Sequence, residues 1–243
     1  VKAPDRDEVV AVIPARHAST RFPGKMLAMI RDKPLIQHVW ERVRRCQRIG
    51  RVVIATDHEA IAGAAVGFGA EAVMTRPEAP SGTDRVAEVC ANLDCRWVVN
   101  VQGDEPLMEP EVLDALVSRL GPCPMATLAR WRTDEEGYRD PNQVKVVLDA
   151  GGRALYFSRA PIPHNRDGEP SGWWHHIGVY AYDRATLQQL VQWPESELER
   201  IERLEQLRAL QNGVAIQVIP TTFESIGVDT PEDIALVESR LYD

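Results

Sequence analysis

The chain has 243 residues, 44% of them hydrophobic and 26% charged, with a formal net charge of -8. That length suits one large α/β domain, with or without an insertion, and the acidic balance argues against coating nucleic acid, which needs a basic excess. The N-terminal segment is polar and no apolar run reaches membrane-spanning length, so the expectation is a cytoplasmic, soluble protein with no membrane or nucleic-acid partner. Cys46, Cys90, Cys95 and Cys123 show no Cys-x-x-Cys spacing, which predicts free thiols in a reducing compartment rather than a zinc site.

In chain order, Val9 to Ile13 reads as a buried strand that stops at Pro14. It empties into a loop holding Arg16, Ser19, Thr20, Arg21, Gly24 and Lys25. Positive charge and exposed backbone N–H groups after a buried strand can hold a polyphosphate. The spacing is neither a Walker A loop nor a Gly-x-Gly-x-x-Gly dinucleotide turn. On residues alone, two readings stay open: a polyphosphate cradle, and a solvated basic turn after an edge strand.

Beyond the loop, Leu35 to Cys46 predicts an amphipathic helix with Leu35, Ile36, Val39, Trp40 and Val43 on one side. Arg51 to Asp57 reads as a second buried strand ending in a polar pair, and Glu59 to Phe68 as an alanine-rich helix closed by Gly69. Glu71 to Met74 is a short strand, and a helix capped by Ser81 or Thr83 runs through Leu93. Arg96 to Val101 is a strand that breaks at Gln102–Pro106, before a helix starting at Pro110. This alternation predicts a doubly wound, mostly parallel, Rossmann-like α/β sheet with helices on both faces. Ligands collect outside the carboxyl ends of such strands, so the loops at 14–25, 57, 81–85 and 102–106 are expected along one rim.

From about residue 123 the pattern changes. Val144–Leu148 and Ala154–Ser158 read as a β-hairpin turning at Asp149–Gly152, and His175–Tyr182 alternates like a strand. We read 1–243 as a single domain with a β-rich extension at about 123–194. Glu195 to Gln211 predicts one helix with Leu198, Ile201, Leu204, Leu207 and Leu210 facing the core. Val214 to Ile219 is a further strand, and Thr230-Pro231-Glu232-Asp233 opens the last helix, with Thr230 as N-cap and Pro231 at its first position.

Asp104, just after a strand, is a candidate ligand for a hard divalent cation, which binds one or two carboxylates plus substrate oxygens. Asp229 is a second candidate, although a plain helix-cap acid fits it too. His175 and His176 are adjacent on a strand, so at most one faces a given site. No serine or cysteine stands in a recognisable nucleophile setting, which favours metal-assisted phosphoryl or nucleotidyl transfer over covalent catalysis.

Eight blocks occur in order: Val12–Lys25, Ala55-Thr-Asp57, Ser81-Gly-Thr83, Asn100–Pro106, Tyr156–Ala160, His176–Tyr180, Leu204–Arg208 and Gly227–Asp233. With them the chain strongly resembles the 3-deoxy-manno-octulosonate (KDO) cytidylyltransferases, from about residue 9 to the C-terminus. The resemblance implies the reaction CTP + KDO → CMP-KDO + pyrophosphate for lipopolysaccharide assembly. It also implies Mg²⁺ as cofactor, a homodimer, and a nucleotide-diphospho-sugar-transferase type of fold whose β-rich extension serves dimerisation and sugar binding. By motif, Arg16 and Lys25 match positions on the triphosphate, Ser19 belongs with them to the CTP-binding set, and Ser81, Gly82 and Thr83 lie near the cytidine. Asp104 and Asp229 match the metal-binding acids, making Arg16, Lys25, Asp104 and Asp229 the catalytic set. Gln102, Arg159, His176, Tyr180, Glu205 and Gln206 match positions lining the sugar pocket, where Arg159 is expected to orient the KDO carboxylate.

Phe22, Met26 and His164 depart from the commonest form of these blocks. The first two leave the charged groups of the loop intact, and His164 bears on fine substrate preference. Alternatives are CMP activation of an amino-substituted KDO or another keto-sugar acid such as a sialic acid, a sugar-1-phosphate nucleotidyltransferase, and, remotely, a non-catalytic nucleotide-binding regulator.

Overall fold

A computed structural model describes residues 3–19, 21–166, 168 and 171–241; Thr20 of the basic loop lies outside them. The chain divides into two compact units, one built from Pro4–Ser118 with Ser225–Asp243 and the other from Arg119–Glu224. Within the first, β1 (Val9–Ala15) is buried at every position, as a strand covered on both faces requires. It is flanked in parallel by β4 (Arg51–Thr56) and β6 (Trp97–Asn100), and β5 (Glu71–Met74) extends the sheet from β4. A short antiparallel pair, β2 (Met29–Ile30) and β3 (Lys33–Pro34), precedes α1 (Leu35–Val43). The helices α2 (Glu59–Gly67), α3 (Gly82–Cys90) and α4 (Pro110–Ser118) follow the strands in alternation.

Local chemistry explains most of these boundaries. All five apolar positions expected on the core side of α1 are buried, along with His38, whose Nε2 lies 3.0 Å from the Ile30 carbonyl. Ser81 caps α3 by accepting the Asp84 N–H at 3.2 Å. The first strand outlasts Pro14, against expectation: Pro14 pairs with Ala55 of β4, and pairing with β6 ends at Val12. A proline is tolerated there because it lies past the stretch paired on both sides. The helix α3 ends at Cys90 rather than Leu93.

In the second unit, β7 (Met125–Arg132) pairs antiparallel with β10 (Trp173–Asp183) and parallel with β11 (Ile216–Thr221). The expected hairpin forms as β8 (Lys145–Leu148) and β9 (Ala154–Ser158), with β8 also pairing to β10. Short helices α5 (Glu135–Arg139) and α6 (Arg184–Leu190) join these strands. The single helix expected over Glu195–Gln211 is instead two: α7 (Glu197–Glu202) and α8 (Gln206–Gln211), separated by Arg203 in the left-handed region at φ 54. Ile201 is 62% exposed, whereas Leu204 and Leu207 are buried. The last helix, α9 (Asp233–Arg240), belongs to the first unit and starts two residues later than Pro231. No helix among the described residues is long and apolar enough to cross a membrane.

Candidate active site

In the first unit, the segments that follow β1, β5 and β6 enclose a cavity of about 340 Å³. Arg16, Lys25, Ser81, Gly82, Gln102 and Asp104 line it, together with Arg85. The rim expected from the strand order is therefore real, and it is tightly built. Gly103 is needed for the approach: a Cβ there would sit 2.8 Å from the Pro14 carbonyl oxygen and 3.1 Å from Met26 Sδ. Gly24, at φ +72, turns the basic loop into a short 3-10 turn that starts with Lys25.

Lys25 is only 7% exposed. Its Nζ donates to Asp104 Oδ2 at 2.5 Å and to the Val228 carbonyl at 3.0 Å, with Asp229 Oδ1 at 3.5 Å. The other Asp229 oxygen pairs with Arg21 at 2.9 Å, at a mostly exposed position. Two carboxylates far apart in sequence thus converge on one cationic centre. Several contacts hold them there. The Val228 N–H donates to the Asp104 carbonyl at 2.8 Å, and Ser225 Oγ donates to Glu105 Oε1 at 2.5 Å. Asp233 Oδ2 accepts the N–H groups of Asp229 and Thr230 at 2.8 and 2.7 Å, which holds its carboxyl below the usual carboxylate range. Asp233, the first residue of α9, therefore holds the turn before the helix, and the Asp229 side chain faces Lys25 and Arg21. Beneath this end, Ile30, Leu35, Val228 and Val237 form a buried cluster against which Phe22 packs.

Burial pushes Glu105 up to about 7; the Ser225 hydrogen bond opposes this, and Asp104 and Asp229 add to it. Glu105 Oε2 is buried without a hydrogen-bond partner among the described residues. No group of three or more His, Cys, Asp or Glu side chains there could hold a metal by itself. Asp104 and Asp229 remain a pair of hard oxygen donors already gathered around a cation, a donor set suited to Mg²⁺ completed by substrate oxygens and water. Ser19 and Thr83 do not line the cavity; Thr83 is buried and accepts from Asn100 Nδ2 at 3.5 Å.

The cytidylyltransferase family model matches residues 10–218. The 3-deoxy-manno-octulosonate cytidylyltransferase of Syntrophotalea carbinolica is 51% identical over 96% of this chain and 98% of its own length. Its counterpart from Solibacter usitatus is 49% identical over 97% of this chain and 94% of its own. The chain belongs to the 3-deoxy-manno-octulosonate cytidylyltransferase family. A solved CMP:2-keto-3-deoxy-manno-octonic acid synthetase, complexed with CTP, superposes with a TM-score of 0.93 at 40% identity, covering 96% of this chain and 98% of that one. This chain, like other members of the 3-deoxy-manno-octulosonate cytidylyltransferase family, is a nucleotidyltransferase with an α/β Rossmann-like fold.

Of the residues assigned to the sugar, Gln102 lies in the first unit and the other five in the second. His176 is buried, with its ring 4.9 Å from Phe157 and 5.5 Å from Tyr180. Its Nε2 lies 3.1 Å from Thr127 Oγ1, whose single hydrogen goes to the Val179 or Ile177 carbonyl at 2.8 or 3.2 Å. The imidazole therefore donates from Nε2. Burial, with His175 adjacent, pulls His176 down to about 3, so it is neutral at physiological pH. Burial pushes the Tyr180 phenol well up, with Tyr182 and Glu205 adding to it. Gln206 is buried at the start of α8. Arg159 is already occupied: its guanidinium donates to the carbonyls of Glu202, Pro141 and Arg203 at 2.7, 2.9 and 3.3 Å. Asp57 and Arg85 carry no role legible in the sequence. A buried arginine inside an amphipathic helix reads as a solvated face until tertiary partners are known.

Proposed function

We propose that this enzyme transfers CMP from CTP to the anomeric 2-hydroxyl of KDO, releasing pyrophosphate and supplying an activated sugar acid for lipopolysaccharide assembly. The observation that carries this reading is the convergence of Asp104 and Asp229 on Lys25, beside a cavity that Lys25 and Asp104 line together with Arg16, Ser81 and Gly82. The sugar hydroxyl oxygen bonds to the α-phosphorus of CTP, and the bond from that phosphorus to the bridging oxygen breaks. Arg16 and Lys25 stabilise charge gathering on the departing pyrophosphate. Ser81 and Gly82 border the nucleoside. Asp104 and Asp229 would hold Mg²⁺, which when bound supplies charge neutralisation at the α-phosphate and acidifies the attacking hydroxyl.

The deciding experiment follows pyrophosphate release from CTP against a panel of keto-sugar acids. Release is expected with KDO and Mg²⁺ together and with neither alone. Turnover with N-acetylneuraminate but not KDO overturns the assignment, and turnover with an amino-substituted KDO alone moves it to that substrate. A homodimer is part of the proposal, supported by the exposed Trp131, Leu155 and Ile201 of the second unit. Light scattering after size exclusion is expected to give twice the chain mass.

A further inference from the structure

One buried ion pair holds two walls of the cavity. Asp57 stands directly after β4. Its Oδ1 accepts the backbone N–H of His17, next to Arg16, at 3.0 Å. Its Oδ2 accepts from Arg85 Nη2 at 2.9 Å, and the two side chains are only 13% and 4% exposed. The other terminal nitrogen, Arg85 Nη1, donates to the Thr75 hydroxyl and to the Arg76 carbonyl, the latter at 3.3 Å. Thr75 is in turn tied to β4, its N–H and hydroxyl both donating to the Thr56 carbonyl at 2.8 and 3.1 Å. From Arg76 the chain runs on to Ala79–Gly82, which line the cavity, as Arg85 does itself. Burying two opposite charges is favourable only when each is well paired and hydrogen-bonded. Here both carboxylate oxygens and both terminal nitrogens have partners, so the geometry is over-determined.

We propose that Asp57 and Arg85 are positioning residues that set the distance between the phosphate-facing loop and the nucleoside-facing loop. The pair acts as a strut matched to a ligand spanning both, a nucleoside triphosphate. This rests on the nucleotide reading of the cavity given above. Arg85 reaches the nucleoside wall alone, through Thr75 and Arg76. Asp57 reaches both, because it also holds His17. The two residues therefore differ in which part of the ligand they serve.

Calorimetric titration of the full chain with CTP, CMP and inorganic tripolyphosphate separates these roles, with thermal melting to establish that each variant is folded. Arg85→Lys and Thr75→Val are expected to weaken CMP and CTP about tenfold while changing tripolyphosphate less than twofold. Asp57→Ala, which also frees His17, weakens all three ligands. Asp57→Asn, whose remaining carbonyl oxygen can still accept from His17, behaves like Arg85→Lys. In turnover assays the Arg85→Lys loss falls on KM for CTP more than on kcat. Equal losses for all three ligands in Arg85→Lys and Thr75→Val, or unchanged CMP binding in both, overturn the strut and leave the pair a folding element. Failure of the unaltered enzyme to bind CTP overturns the nucleotide reading instead.

Discussion

Lys25 donates to three oxygens beside the cavity, and these neighbours decide what each substitution there does. Removing the charge of Asp104 while keeping its shape strips one of two acids from the cation centre. Asp104→Asn is expected to fold and to lose about 100-fold or more in kcat, the scale of losing a key electrostatic group in a transfer reaction. Near-native pyrophosphate release by that variant would remove Asp104 from the proposed metal pair. Arg159 gives a contrasting case. With three backbone carbonyls on its guanidinium, truncation removes hydrogen bonds from a charged donor that are worth about 1.5–3 kcal/mol apiece, though not additively. Arg159→Ala is thus expected to lower the melting temperature clearly, as calorimetry would show. An unchanged melting temperature with a tenfold higher KM for KDO would restore the carboxylate-orienting role read from the sequence.

At the scale of elements, the break between α7 and α8 shows how a pattern can mislead. Leu198, Ile201, Leu204, Leu207 and Leu210 recur every three residues, but a helix turns about 100° per residue. Each step of three falls about 60° short of a full turn, so the stripe winds around the helix and cannot stay on the core. The chain resolves this by placing Arg203 in the left-handed region, which a non-glycine residue occupies at a cost of about 1 kcal/mol. Arg203→Gly is expected to raise stability in urea by up to that amount, and a loss would show that the Arg203 side chain holds the junction. A second irregularity lies in β10, whose register against β7 shifts between Ile177 and Tyr180. Thr127 fills the bulge: its hydroxyl donates to the Val179 or Ile177 carbonyl and accepts from His176 Nε2. Nothing in the stretch Met125–Arg132 alternates clearly, and neither β7 nor this contact was legible in it.

For the whole molecule, three groups shifted by burial bear on acid stability. Burial pulls His175 and His176 down to about 4 and 3, below the value of about 6.5 expected when unfolded. Over that window the unfolded chain binds more protons, so stability is lost as pH falls below about 6.5. Glu105 acts in the opposite sense: raised to about 7, it favours the folded state at low pH and withdraws that support as pH rises through 7. Two histidines against one carboxyl leave a net acid-side loss from these groups. His176→Gln removes one titrating group, worth about 1.4 kcal/mol per pH unit. Urea titrations at pH 7, 6 and 5 are expected to show a shallower decline for this variant. An unchanged slope would mean that His176 takes up its proton in the folded state.

The alternation of strands and helices through residue 118, the hairpin after Val144 and the basic loop followed by Asp104 were all legible in sequence. They depend on local periodicity, turn residues and short-range order. The family was legible too, because eight blocks in order are far more specific than any one of them. Only the tertiary structure could pair Lys25 with Asp104 and Asp229, give the Asp229 and Thr230 N–H groups to Asp233, occupy Arg159 with backbone carbonyls, and join Asp57 to Arg85. Those choices are contests between partners distant along the chain, including a Lys25–Asp229 pair separated by 204 positions. Which carboxylate wins a given donor depends on burial and on the hydrogen bonds already made around it. Neither quantity exists until the chain has folded.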